Sequence, residues 1–174
     1  MMNSNHKKIV KMALLANFTA VAIVLNLIEA QLNFIPVPGA KLGLANLVTL
    51  IILYMYGIKE ASILTLVRIV VVGLLSGRLL GPTFYMGTAG AIASLIVMGT
   101  LKQLKVFGMT LVSLIGSISH QIGQIVAGIF VIGATEVFYY LPIMLPIGVV
   151  SGIIIGLIAE KFMVTMKNNE RTIE

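Results

Sequence analysis

The chain has no cysteine and no aspartate among its 174 residues. The first absence excludes disulfides, thiolate nucleophiles and thiolate metal sites, and it leaves the redox compartment unreadable. The second leaves six glutamates as the only acidic side chains, with no acidic pair placed for metal-dependent diphosphate chemistry. No G-x-x-x-x-G-K-[ST] loop is present, the nearest run being Gly73 to Arg78, so the chain does not cradle nucleotide phosphates in the P-loop manner and does not itself hydrolyse ATP. There is no G-x-S-x-G elbow, and the histidines are His6 and His120 alone. No metal or cofactor site is expected, and covalent or metal catalysis is poorly supported.

Charge is scarce as well. Only 10% of the residues are charged against 59% hydrophobic, with a mean hydropathy of +1.07, whereas a soluble domain spends about a quarter of its residues on charges. No water-facing surface can be built from this composition, which predicts an all-α integral membrane protein. The net charge of +6 does not point to nucleic acid, because the basic residues are spread singly and track the loops.

What is present is six apolar stretches, at about residues 9–28, 42–56, 61–75, 84–101, 109–132 and 141–159. They predict a six-transmembrane-helix bundle forming a single membrane domain over 1–174. The basic N-terminus precedes an apolar run that continues past the length of a signal-peptide core and lacks a cleavage site, so the first helix is read as retained. With six spans both termini share a side. Lys7, Lys8, Lys11, Lys59, Lys102, Lys105, Lys161, Lys167 and Arg171 fall on that side and only Lys41 and Arg78 on the other, which predicts cytoplasmic termini in a cell membrane.

The aromatic residues Phe34, Phe84, Tyr85, Phe138, Tyr139 and Tyr140 gather at the outer ends of spans. They form either an interfacial belt or stacking groups around an outward pocket. Tyr54 and Tyr56, near the inner end of the second span, fit the belt.

An ionisable side chain in hydrocarbon costs a few kcal/mol and usually faces protein or water. Arg68 in the third span and His120 in the fifth qualify. Ser113, Ser117, His120, Gln124 and Ala127 repeat at helical spacing, with Gln121, Gly116, Gly123 and Gly128 beside them, a stripe that faces a neighbouring helix or a cavity. Two readings stay open: His120 as a packing hydrogen bond or a ligand contact, and Arg68 as a partner of Glu29 or a helix end, or as a recognition group. The outer loops add Glu29, Gln31, Asn33, Lys41 and Asn46, then Arg78, then Glu136 with the tyrosines. This mix of cationic, amide and aromatic groups suits a planar or anionic organic molecule. Ala16 to Ala20 is a small-xxx-small motif with Ala13 one turn earlier, and Gly148, Gly152 and Gly156 form a tandem GxxxGxxxG. Both mean close helix approach, within the bundle or with a partner. No duplicated halves of an inverted-repeat transporter are visible.

The run Pro36-Val37-Pro38-Gly39-Ala40-Lys41-Leu42-Gly43-Leu44-Ala45-Asn46, then Tyr56-Gly57-Ile58-Lys59-Glu60-Ala61, Arg68, Leu75-Ser76-Gly77 and His120-Gln121-Ile122-Gly123-Gln124 resembles the Gx transporter family, also described as heptaprenyl diphosphate synthase component I. The resemblance covers nearly the whole chain. That family looks like the substrate-binding S components of energy-coupling factor (ECF) importers, six-helix proteins that capture a vitamin or precursor from outside. These dock on a shared transmembrane subunit carrying two ATPase subunits.

The resemblance implies docking through Ala13, Ala16 and Ala20, and loops gating the pocket at 29–41 and 76–85. With the residue reading it makes Glu29, Lys41, Asn46, Arg68, Arg78, His120, Gln121, Gln124, Tyr139 and Tyr140 the substrate-binding candidates, with Arg68 and His120 orienting the ligand. Because the chain has no aspartate, it is not expected to be the catalytic subunit of prenyl diphosphate synthesis. A non-catalytic accessory subunit for prenyl or quinone synthesis, or for flavin- or quinone-linked electron transfer, is the alternative. A membrane enzyme acting on a lipid would rest only on His120 with Glu29 or Glu136 and lacks a catalytic constellation.

Overall fold

A computed structural model describes residues 4–31 and 43–173. Among them are six α-helices: α1 Ser4–Gln31, α2 Leu44–Tyr56, α3 Ile58–Leu75, α4 Pro82–Leu104, α5 Met109–Ile132 and α6 Leu141–Ile173, with a 3-10 segment, Thr135–Tyr140, leading into α6. Four stretches are long and apolar enough to cross a membrane: 8–31, 82–104, 109–132 and 135–168. This is the build of a multi-pass membrane protein.

Five of the expected segments sit inside these helices, and α5 matches its expected range; the second, 42–56, starts too early, because residue 42 lies outside the described residues and α2 begins at Leu44, after Gly43. The last helix runs beyond the expected span of 141–159, since α6 continues through the charged tail to Ile173. Its Glu, Lys, Met and Asn residues are compatible with helix, and no glycine or proline follows Gly156 to stop it.

Two helices do not have the dimensions of independent spans. The 13 residues of α2 reach about 20 Å, short of a hydrocarbon core of about 30 Å. The 18 residues of α3 include Lys59, Glu60 and Arg68. Gly57 joins the two with φ +102° and gives its N–H to the carbonyls of Ile52 and Leu53. A side chain is strained at that φ, so glycine allows the chain to reverse in one residue. The resulting hairpin is in register about Gly57, with the Thr49 and Thr65 hydroxyls 3.3 Å apart.

α2 is the hub. It packs against α1, α3, α4 and α6, and Val48, Leu50, Ile51, Ile52 and Leu53 are buried in the main core with Ala22, Leu64, Met98, Val112 and Ile155. α1 contributes Lys11, Leu15, Phe18, Ala22, Leu25 and Glu29, a seven-residue repeat that puts one stripe against the bundle. Ala22 and Glu29 on it are buried, and the Phe18 ring meets Phe162 edge-on at 6.3 Å.

The most extensive contacts run α4 to α5 and α5 to α6. Both rest on glycine. A Cβ on Gly152 would stand 2.8 Å from Leu114 Cα, one on Gly156 2.6 Å from Thr110 Cα, and one on Gly90 2.7 Å from the His120 carbonyl oxygen. The tandem glycine motif of α6 is therefore spent inside the bundle, on α5.

One end of the bundle gathers the basic residues with their partners. Lys11 pairs with Glu60 at 2.5 Å and lies over the Tyr56 ring. Lys102 donates to the Leu53 carbonyl and lies over Tyr54, and Thr110 donates to Glu160 at 2.8 Å. Tyr54 and Tyr56 thus serve as cation platforms, which goes beyond an interfacial belt. The hydrogen bond from Lys11 holds the Glu60 carboxyl below its ordinary value of 4.5.

Candidate functional site

Two buried polar clusters lie within the bundle, one among α1, α2 and α3 and one among α4, α5 and α6. The first is held by α1, α2 and α3. Arg68 is 3% exposed, on the α3 face one turn beyond Thr65. Because the α2–α3 hairpin is in register about Gly57, Asn46 on α2 stands level with it.

Glu29 reaches the same place from α1. It is 7% exposed, its Oε1 accepts the Gly43 N–H just before α2, and its charge pulls on Arg68. Asn46 folds toward the same helix end, with its Nδ2 3.4 Å from where a Cβ on Gly43 would stand. Gly43 holds φ +79°, so this end of α2 is shaped for glycine. Arg68 Nε has no hydrogen-bond partner among the described residues. Arginine does not shed its charge, and an ion taken out of water costs several kcal/mol unless its hydrogen bonds are met. A buried guanidinium with one N–H left over among the described residues is therefore a candidate binding group.

The second cluster belongs to α4, α5 and α6, and here the expected stripe divides. Gln124 and His120 meet α4: a Cβ on Gly90 would lie 2.9 Å from Gln124 Cγ and 3.1 Å from His120 Cε1. Gln121 and Ser117 meet α6, with Gln121 Cγ 2.9 Å from a Cβ on Gly148 and Ser117 Oγ 2.9 Å from one on Gly152. All but the half-buried His120 are buried. Gln121 Oε1 and Ser94 Oγ, both buried, have no hydrogen-bond partner among the described residues. A buried amide or hydroxyl left so costs about 1–3 kcal/mol.

The structure thus brings together Glu29, Asn46 and Arg68, and separately His120, Gln121 and Gln124. It leaves the others apart. Arg78 is exposed in the turn after α3, Tyr139 is 77% exposed and Tyr140 39%, both on the 3-10 segment. Lys41 lies outside the described residues. Ala13, Ala16 and Ala20 are exposed on the side of α1 turned away from the bundle.

Sequence reasoning missed Ser94, Thr49 and Thr65. Their signal was a hydroxyl in an otherwise apolar run, which is weak because such residues commonly bond their own helix, as Thr49 also does with the Ala45 carbonyl.

An open groove of about 400 Å³ lies between α4 and α5, lined by Ala89, Ala93, Ser119, Ile122, Gly123, Val126 and Ala127. Its one hydroxyl, Ser119, donates to the Ile115 carbonyl of its own helix, so it offers hydrocarbon alone. Among the described residues no group of three or more His, Cys, Asp or Glu is placed to hold a metal ion.

Residues 18–162 match the family described as heptaprenyl diphosphate synthase component I. No curated protein and no solved structure matches the chain.

Proposed function

The chain belongs to the heptaprenyl diphosphate synthase component I family, and on that premise we propose that it is the substrate-binding S component of an ECF-type importer. In this reading six helical passes, with α2 and α3 crossing as a hairpin, place both termini in the cytoplasm. A small organic cofactor, vitamin or precursor enters from outside. Arg68 and Asn46 bind it beside α2, while His120, Gln121 and Gln124 form the second polar cluster, against α4 and α6. The chain performs no catalysis and draws its energy from a shared transmembrane subunit with two ATPase subunits.

The observation that carries the reading is the contrast between two small-residue motifs. Gly148, Gly152 and Gly156 are used up against α5. Ala13, Ala16 and Ala20 stand exposed on α1, facing away from every helix of their own bundle. A small-xxx-small face in a membrane permits close approach of another helix, and this one is available to a second protein.

Substitution of Ala16 or Ala20 by Trp is expected to abolish co-purification with an ATPase-bearing membrane complex while the chain itself stays folded. Full association and uptake in both variants would overturn the docking assignment.

The family description favours a second reading, a non-catalytic membrane subunit beside a prenyl diphosphate synthase. The absence of aspartate argues that any diphosphate chemistry belongs to the partner. Under that reading the chain co-purifies with a soluble synthase and not with ATPases, and Arg68→Gln damages folding more than uptake.

A further inference from the structure

We propose that Arg68, Asn46 and the first turn of α2 form a subsite for one anionic group, a carboxylate or phosphate, with Glu29 as the chain's own counter-charge that the incoming anion displaces.

The argument begins with charge. Arg68 brings a permanent positive charge, and the N-terminus of α2 adds about half a charge more. Glu29 supplies one negative charge, and its Oε1 is shared with the Gly43 N–H. The balance is positive in a place from which water is largely excluded, since Arg68 is 3% exposed.

The donors make the second part. Guanidinium has five N–H groups in a fixed fork, Arg68 Nε has no partner among the described residues, and the Asn46 side chain lies beside Gly43 at the same helix end. Carboxylate and phosphate oxygens carry several lone pairs in the geometry such a fork meets. The Thr49 and Thr65 hydroxyls, one turn nearer Gly57, are engaged with each other. A cationic group is repelled here, and a neutral acceptor gains the hydrogen bonds without the attraction between opposite charges.

The source of the anion as a transported solute rests on the capture reading above, but the subsite does not, and the two are tested by separate measurements. The thermal midpoint of the full-length protein in neutral detergent is followed against inorganic phosphate and acetate at constant ionic strength. Wild type is expected to give a weak saturable rise. Glu29→Gln removes the competing charge and should tighten the apparent Kd by about tenfold or more, and Arg68→Gln should abolish the response.

Equal dissociation constants in wild type and Glu29→Gln, or a saturable response that survives in Arg68→Gln, overturns the proposal. If Glu29→Gln does not fold, Arg68→Lys decides: it keeps the charge but loses Nε and the fork, so an unchanged response refutes the subsite and an about tenfold weaker one supports it. Phosphatidylcholine nanodiscs with and without phosphatidylglycerol distinguish the sources. A rise that requires phosphatidylglycerol and is lost in Arg68→Gln assigns the anion to a lipid headgroup at the same subsite. A failed anion titration beside intact complex formation sinks the subsite and leaves the docking reading standing.

Discussion

Replacing Gly156 by alanine adds one methyl group where α5 and α6 touch. That Cβ would lie 2.6 Å from Thr110 Cα, 3.1 Å from Ser113 Cβ and 3.1 Å from the Thr110 carbonyl oxygen. Carbon atoms rest at about 3.5–4.0 Å, so the helices must separate locally by about 1 Å. Two of the three obstructing atoms belong to the α5 backbone and do not turn aside. In a bilayer, helix association depends on such packing because lipid tails are as apolar as the side chains. Overpacking of this kind costs about 1–3 kcal/mol, against a gain of about 0.5–1 kcal/mol from replacing a helical glycine by alanine.

Gly87 on α4 provides the control, because a Cβ there meets nothing within 4 Å, and Gly87→Ala keeps only the gain. The assay is reversible unfolding of the purified protein in mild detergent, with the variants measured side by side. Gly156→Ala should be the least stable, wild type intermediate and Gly87→Ala the most stable. Equal stability of the two variants would refute the close α5–α6 crossing, and with it the claim that the α6 motif is unavailable to a partner.

Ala16→Trp, by contrast, should leave the unfolding midpoint of the isolated chain within about 0.5 kcal/mol of wild type, the range of substitutions away from packed sites; a larger loss means that α1 packs through its alanine face. Gln121→Met removes a buried amide oxygen that has no partner among the described residues and should be neutral or stabilising, by up to about 1–3 kcal/mol; a destabilised variant would show that the amide is satisfied within the fold. The Lys11–Glu60 pair gives an acid limb. The Glu60 carboxyl lies below its ordinary value, so the contribution of the pair is present above about pH 4.5 and is lost as pH falls through the lowered value. Glu60→Gln should flatten that limb of a midpoint-against-pH curve, and an unchanged limb would assign it to other glutamates.

Much of this was legible in the sequence because it depends on local pattern. Helix positions follow from apolar runs closed by Gly57, Pro82, Gly108 and Gly133, and the cost of burying Arg68 and Gln124 follows from their presence in those runs. Neighbours were harder to read. His120 and Gln121 are adjacent on α5, yet one meets α4 at Gly90 and the other α6 at Gly148, a division set by where α4 and α6 cross α5. The stripe from Ser113 to Ala127 reads as one face for the same reason: a periodic pattern gives an angle around its own axis and nothing of what stands opposite. The two small-residue motifs were indistinguishable by composition. Only burial separates the glycines spent on α5 from the alanines left exposed on α1. The level of Asn46 with Arg68 was implicit in their equal distance from Gly57, but it becomes visible only once α2 and α3 are known to form a hairpin.

The central claim, that the bundle keeps a buried guanidinium because a solute completes its bonding, is tested most directly by native mass spectrometry of protein purified gently from its own membrane. The account predicts a small anionic molecule retained on wild type and absent from Arg68→Gln prepared in parallel. A wild-type spectrum carrying only lipid and detergent, or the same adduct on both proteins, would contradict it.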